Sequence, residues 1–371
     1  MRSVSSPFHP RTFIAIEGLR GILAWAVVFS HLTYMSAFKL TGVSSFLRAV
    51  GLPSVLIFII VSGFVITHAI LEKQEHYLPY LVRRFARIFP LFAVTCFVGF
   101  FTSELLASAL SDPRFGDPEF AKVVNDVASS DRAHLPMHIL AHLFMMHGAI
   151  PNDVVLQSEY AFNMPAWSIS LEWQFYLVAP LFIFVLREKR QWVIPMALAV
   201  ATSEMVAQRV GLRTAQPGAL PFAAFYFAIG ILSRLIYSEK LGSPQGLLFA
   251  VALAIVFFPI AVVRPFLIWM VVFFGLSNSA VTDKTSLEQL YARVLKSPLA
   301  LYFGSRSFSI YLCHYPVISV VAWQLFRWSV PSSMLILTII SIPLIIVIAE
   351  FAYRWIEKPG IAAGKMLAAS I

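Results

Sequence analysis

Apolar runs of about membrane length recur along the whole chain, and that pattern limits the fold more than any motif does. A hydrocarbon core near 30 Å thick takes about 20 apolar residues per helix. Runs of that kind fall at about 13–37, 50–71, 88–110, 167–186, 191–208, 220–237, 246–261, 266–281, 307–326 and 333–353, the seventh and eighth parted only by a short turn at 262–265. Hydrophobic residues make up 59% against 13% charged, with a mean hydropathy of +0.78, beyond any soluble domain. The expected fold is therefore all-α, a polytopic membrane bundle of about 10 transmembrane helices forming one domain over residues 1–371. Its long connection, 111–166, lies outside and contains an apolar piece at 138–148 that is too short to span. Placing the N-terminus inside puts most of the 28 Lys and Arg on the cytoplasmic side, so both termini are expected there. The same topology explains the net charge of +9, which is spread over short loops rather than gathered in a stripe, so no nucleic-acid partner is indicated. Cys96 and Cys313 sit in apolar runs and imply no disulfide framework. No metal site is expected.

The first run breaks its own rule by carrying Glu17, Arg20 and His31. An ionisable group at membrane depth costs several kcal/mol and normally faces a protein interior or polar cavity, so this breach marks a site. Arg20 and His31 are close to three helical turns apart and share a face, about 16 Å from each other along the axis. Glu17 joins that face one turn before Arg20, where an ion pair between the two is a sufficient structural account of both charges. Entering from the cytoplasm, the helix carries Arg20 in the inner third and His31 in the outer third. The fourth run enters from outside through Trp167 and Ser168 and brings Glu172 to the level of His31. A carboxylate beside a histidine is the arrangement that general-base catalysis uses. The second run places Ser62-Gly63 near mid-membrane, where small residues permit close approach. The ninth places Tyr311 and His314 one turn apart. On the cytoplasmic side, Arg84 and Arg87 share a face in YLVRRFARIFP, and guanidinium groups suit phosphate; topological anchoring is the plainer reading of the same residues.

Taken together and in order, several motifs resemble the acyltransferase-3 family of integral membrane O-acyltransferases, which act on bacterial surface polysaccharides. They are the Arg20 to His31 pair, the SGF at 62–64, the RRFAR at 83–87, the WSISLEWQFY at 167–176, the SIYLCHYP at 309–316 and the IEKP at 356–359. The resemblance covers nearly the whole chain. It implies a ten-helix fold in the bacterial inner membrane and transfer of an acyl group, by family default acetyl, from cytoplasmic acyl-CoA to a glycan or lipid-linked saccharide. It also implies that His31, paired with Arg20, is catalytic and that Arg84 and Arg87 serve the acyl donor.

On this reading acyl-CoA is a co-substrate and no cofactor is bound. The donor arm rises from Arg84 and Arg87 past Arg20 and Ser62, and His31 acts as base or acyl carrier with Glu172 orienting it. Glu17, Trp167, Ser168, Tyr311 and His314 are candidate supports. Two rival classes share these features. One is a transporter or flippase for a glycan or lipid intermediate, although no inverted repeat is visible. The other is an acyltransferase for a small molecule such as a macrolide, a membrane lipid or a lipo-oligosaccharide.

Overall fold

The computed structural model describes residues 11–36, 42–188, 190–239, 260–277, 293–331 and 333–371. Among them every regular element is helical. This is how a chain in lipid meets its backbone hydrogen bonds without open sheet edges. The helices are α1 (Arg11–Tyr34), α2 (Val43–Ala49), α3 (Gly51–Lys73), α4 (Tyr77–Leu110), α5 (Pro118–Ala133), α6 (Leu135–Leu143), α7 (Trp167–Glu188), α8 (Val193–Arg209) and α9 (Leu220–Glu239). They continue as α10 (Ile260–Ser277), α11 (Pro298–Ser305), α12 (Ser307–Arg327) and α13 (Met334–Ala352), with a π-turn at Tyr353–Glu357 leading into α14 (Lys358–Ala369).

Among the described residues six stretches are long and apolar enough to cross a membrane: Ile14–Tyr34, Val43–Lys73, Tyr77–Leu110, Met164–Glu188, Ser307–Arg327 and Met334–Ala369. Leu220–Leu235 is a shorter apolar helix. The expected run at 246–261 lies outside the described residues except for its last two, and the run at 266–281 is described to Ser277. The third expected run starts too late. α4 begins at Tyr77, so the arginine-rich segment is the first part of the same 34-residue helix rather than a loop before it.

Packing places α1 at the centre, against α3, α11 and α12, while α4 lies against α12 and α14. Two crossings depend on glycine. A Cβ on Gly230 of α9 would lie 2.1 Å from the Ile60 carbonyl oxygen and 2.7 Å from the Phe64 nitrogen of α3. Facing it, a Cβ on Gly63 would meet the Phe227 carbonyl oxygen at 2.5 Å. The obstructing atoms are backbone, so neither side can give way, and the helices pack as closely as small-residue interfaces in membranes allow. Ser62, the neighbour of Gly63, reaches Glu172 of α7 from the same helix.

The connection from 111 to 166 is folded rather than loose. Asp117 caps α5 through the Phe120 N–H and pairs with Arg48 at 2.9 Å. The apolar piece at 138–148 becomes α6 and a following turn. Its His138, Ala141 and His142 are buried, while Met137, Leu140 and Leu143 face outward.

Substituting Gly230 by Val should separate α3 from α9 and destabilise the protein by about 1–3 kcal/mol, the usual range for overpacking. Thermal unfolding in detergent checks this, with a lowered midpoint expected.

Candidate active site

The central cavity, about 200 Å³, lies among α1, α3, α4, α7 and α12. Helical spacing builds each wall. Ser168, Glu172 and Tyr176 follow one another by one turn on α7, and Arg84 and Arg87 share a face of α4. α1 contributes Arg20, α3 contributes Ser62, and α12 contributes Ser307 and Tyr311. Three guanidinium groups therefore face a cavity whose lining carries one carboxylate, Glu172.

That carboxylate is already engaged. Its Oε1 accepts from Ser62 Oγ at 3.0 Å and, in a short contact, from the Tyr176 hydroxyl. The Arg84 guanidinium stands 5.5 Å from the Tyr80 ring centre and 5.6 Å from that of Tyr176. Its Nε is buried without a hydrogen-bond partner, as is the Ser307 Oγ. Buried donors left open in this way fit a site shaped for an anionic ligand, since unpaired polar groups in an interior are costly. Arg83, by contrast, points away and pairs with Glu75.

A second cavity, about 300 Å³, adjoins the first through Arg20, Val65, Arg87 and Ser307, which line both. Glu17 and Glu357 line it too. Glu357 comes from the IEKP motif, is 3% exposed and accepts from Ser309 Oγ at 2.7 Å. The Glu17–Arg20 ion pair that the spacing permits is not formed among the described residues. Arg20 is shared by both cavities, whereas Glu17, one turn nearer the N-terminus, faces only the second.

His31 lies beyond the central cavity, on the side toward the connection from 111 to 166. Its Nδ1 is 3.3 Å from His314 Nε2 and 3.1 Å from the Val27 carbonyl oxygen. The Tyr315 ring stands edge-on to it at 5.5 Å between centres. Tyr311 separates this pair of histidines from the cavity, with its ring 6.0 Å from that of His314. The Tyr311 hydroxyl donates to the Pro165 carbonyl at 2.8 Å and accepts from Ser168 Oγ at 2.8 Å.

Glu172 and His31 are thus not brought together, contrary to the expectation from depth. Rise per residue sets a level but not which neighbour fills the space at that level. Glu172 faces the cavity with Ser62, and α12 fills the space beside His31 with His314. Trp167, 5% exposed, is a packing residue at the start of α7. Glu357, Tyr176 and Ser307 were not singled out as site residues. Tyr176 had a signal, standing one turn from Glu172, and Glu357 had one as the acid of a motif just past the last apolar run.

With this geometry in place, the class is plain: the chain belongs to the acyltransferase-3 family, whose acyltransferase domain matches residues 13–350. It is an acyltransferase. Acyltransferase MdmB of Streptomyces mycarofaciens is 24% identical over 333 residues, 82% of this chain and 78% of that relative. A shorter stretch of 68 residues, 18% of this chain, is 37% identical to the Staphylococcus aureus (strain COL) protein named "Putative O-acetyltransferase SACOL0978", of which it covers 11%. No solved structure matches.

Behind the site, the connection from 111 to 166 buries a carboxyl. Asp131 is 2% exposed and accepts from the Phe162 N–H at 3.2 Å, while burial pushes its carboxyl up from 3.8 to about 7. His138, 3.9 Å away, is held down at about 4 by burial, so it supplies no compensating charge near neutrality. An acid whose folded value lies above its unfolded value costs stability progressively as pH rises between the two. Asp131→Asn keeps an acceptor for Phe162 and cannot ionise. Its unfolding midpoint should exceed that of the wild type at pH 8, with the advantage shrinking as pH falls to 5.

Proposed function

We propose that this protein is a ten-span membrane O-acyltransferase of the bacterial inner membrane, with both termini in the cytoplasm. It moves an acyl group, acetyl by preference, from cytoplasmic acyl-CoA to a hydroxyl of a cell-surface or exported glycan or lipid-linked saccharide. The observation that carries this reading is the line formed by three guanidinium groups at Arg20, Arg84 and Arg87, then Tyr311, then His31, within a chain of acyltransferase family.

The donor's phosphates suit Arg84 and Arg87, which stand on the half of α4 nearest the cytoplasm in this topology and can bind oxyanions through several N–H groups. Arg20 and Ser62 lie along the path that the donor arm follows. Glu172 fixes Ser62 and Tyr176 and offsets part of the cationic charge, a role that replaces direct contact with His31. At the outer end, the His31 imidazole takes the proton of an acceptor hydroxyl as its oxygen attacks the thioester carbonyl. The new ester C–O bond forms, the C–S bond breaks, and the departing CoA thiolate recovers the proton from the imidazolium.

Transfer of label from radiolabelled acetyl-CoA to the carbohydrate and lipid fractions of cell membranes tests the scheme. His31→Ala should abolish transfer while leaving the protein inserted; persistent transfer would remove the mechanism. Arg84→Ala and Arg87→Ala should each raise the KM for acetyl-CoA about tenfold, the loss expected for one charged hydrogen bond. An unchanged KM would make the pair topological anchors only.

A further inference from the structure

We propose that His314 is a positioning residue for His31, holding the His31 proton on Nδ1 so that Nε2 is left as the free base. The inference rests on the function proposed above and assigns a role within it.

Three heavy-atom contacts define the arrangement. His314 Nδ1 lies 3.2 Å from the Ile310 carbonyl oxygen, one turn back on α12. His314 Nε2 lies 3.3 Å from His31 Nδ1, and that same Nδ1 lies 3.1 Å from the Val27 carbonyl oxygen, one turn back on α1. No partner within the protein engages His31 Nε2 among the described residues, and His31 is half-buried while His314 is fully buried.

A neutral imidazole carries one N–H and one lone pair, so the neighbours decide the tautomer. Suppose His314 donated from Nε2. Its bare Nδ1 would then face the Ile310 carbonyl, and the bare Nδ1 of His31 would face the Val27 carbonyl, giving two lone-pair clashes in a dry interior. The opposite assignment satisfies every atom. His314 donates from Nδ1 to Ile310, and its Nε2 accepts from His31 Nδ1–H, which is shared with the Val27 carbonyl. His31 Nε2 is then the lone pair, and it stays so oriented when it becomes Nε2–H during transfer.

The backbone carbonyl of Ile310 thus fixes His314, and His314 fixes His31. This is the base-and-orienter relation that active sites need, achieved here without a carboxylate. It also explains why Glu172 is free to serve the cavity. Tyr311, one turn before His314 and tied to Pro165 and Ser168, keeps this stretch of α12 in place from the other side.

The test compares His314→Phe, His314→Gln and His31→Ala in membranes supplied with radiolabelled acetyl-CoA. Phe removes the acceptor but keeps the ring volume, whereas the Gln side-chain oxygen can accept from His31 Nδ1–H. His314→Phe should lower kcat about 10²-fold, the usual scale of a positioned base, with the KM for acetyl-CoA changed by less than about twofold. His314→Gln should recover at least about tenfold of that loss. A wild-type kcat in His314→Phe would overturn the assignment, and so would equal losses in both variants accompanied by a raised KM, the mark of disturbed packing. Wild-type transfer by His31→Ala would instead bring down the underlying catalytic reading. Inactivity of His31→Ala beside full activity of His314→Phe would remove only the role of His314.

Discussion

Arg20, Arg84 and Arg87 converge on one cavity at membrane depth, and most of the surrounding structure answers the cost of that convergence. Isolated guanidinium groups would be expelled from such a place. Here a carboxylate shares each cavity with them, Glu172 in the central one and Glu357 in the adjoining one, and the rings of Tyr80 and Tyr176 stand beside Arg84. The same helix α3 that meets α9 through its glycine contact also sets Ser62 3.0 Å from Glu172.

The site divides into two chemistries along one axis. At the end formed by Arg20, Arg84 and Arg87 are cations and open hydrogen-bond donors, which suit a phosphate-bearing ligand. Beyond Tyr311 lie two imidazoles and aromatic rings without an adjacent charged partner, a setting suited to moving a proton. Tyr311 stands at the junction of the two.

Much of this was legible in the sequence because the membrane simplifies the reading. Apolar runs of fixed length located α1, α3, α7, α12 and α13, and a charge inside such a run has few explanations, so Arg20 and His31 stood out at once. The start of α4 was missed for the complementary reason: its first part is amphipathic and arginine-rich, and hydropathy reports only the apolar remainder. Depth arithmetic ranked Glu172 with His31 but could not foresee that α12 places His314 beside His31. The contact of His31 with His314 joins residues 283 apart in sequence. No local pattern encodes that distance; it follows from how the helices assemble. Glu17 misled through proximity, since an i,i+3 spacing permits an ion pair without requiring one, and the second cavity offered it a different face.

The central claim is that the acyl group enters from the cytoplasmic side and leaves on the other. Radiolabelled acetyl-CoA, which does not cross a bilayer, can be supplied to sealed inside-out membrane vesicles and, in parallel, to right-side-out vesicles. The account predicts label on a lumenal acceptor in the inside-out vesicles, protected from hydrolase added outside, and none in the right-side-out ones. Labelling confined to right-side-out vesicles, or a product exposed on the same face as the donor, would contradict it.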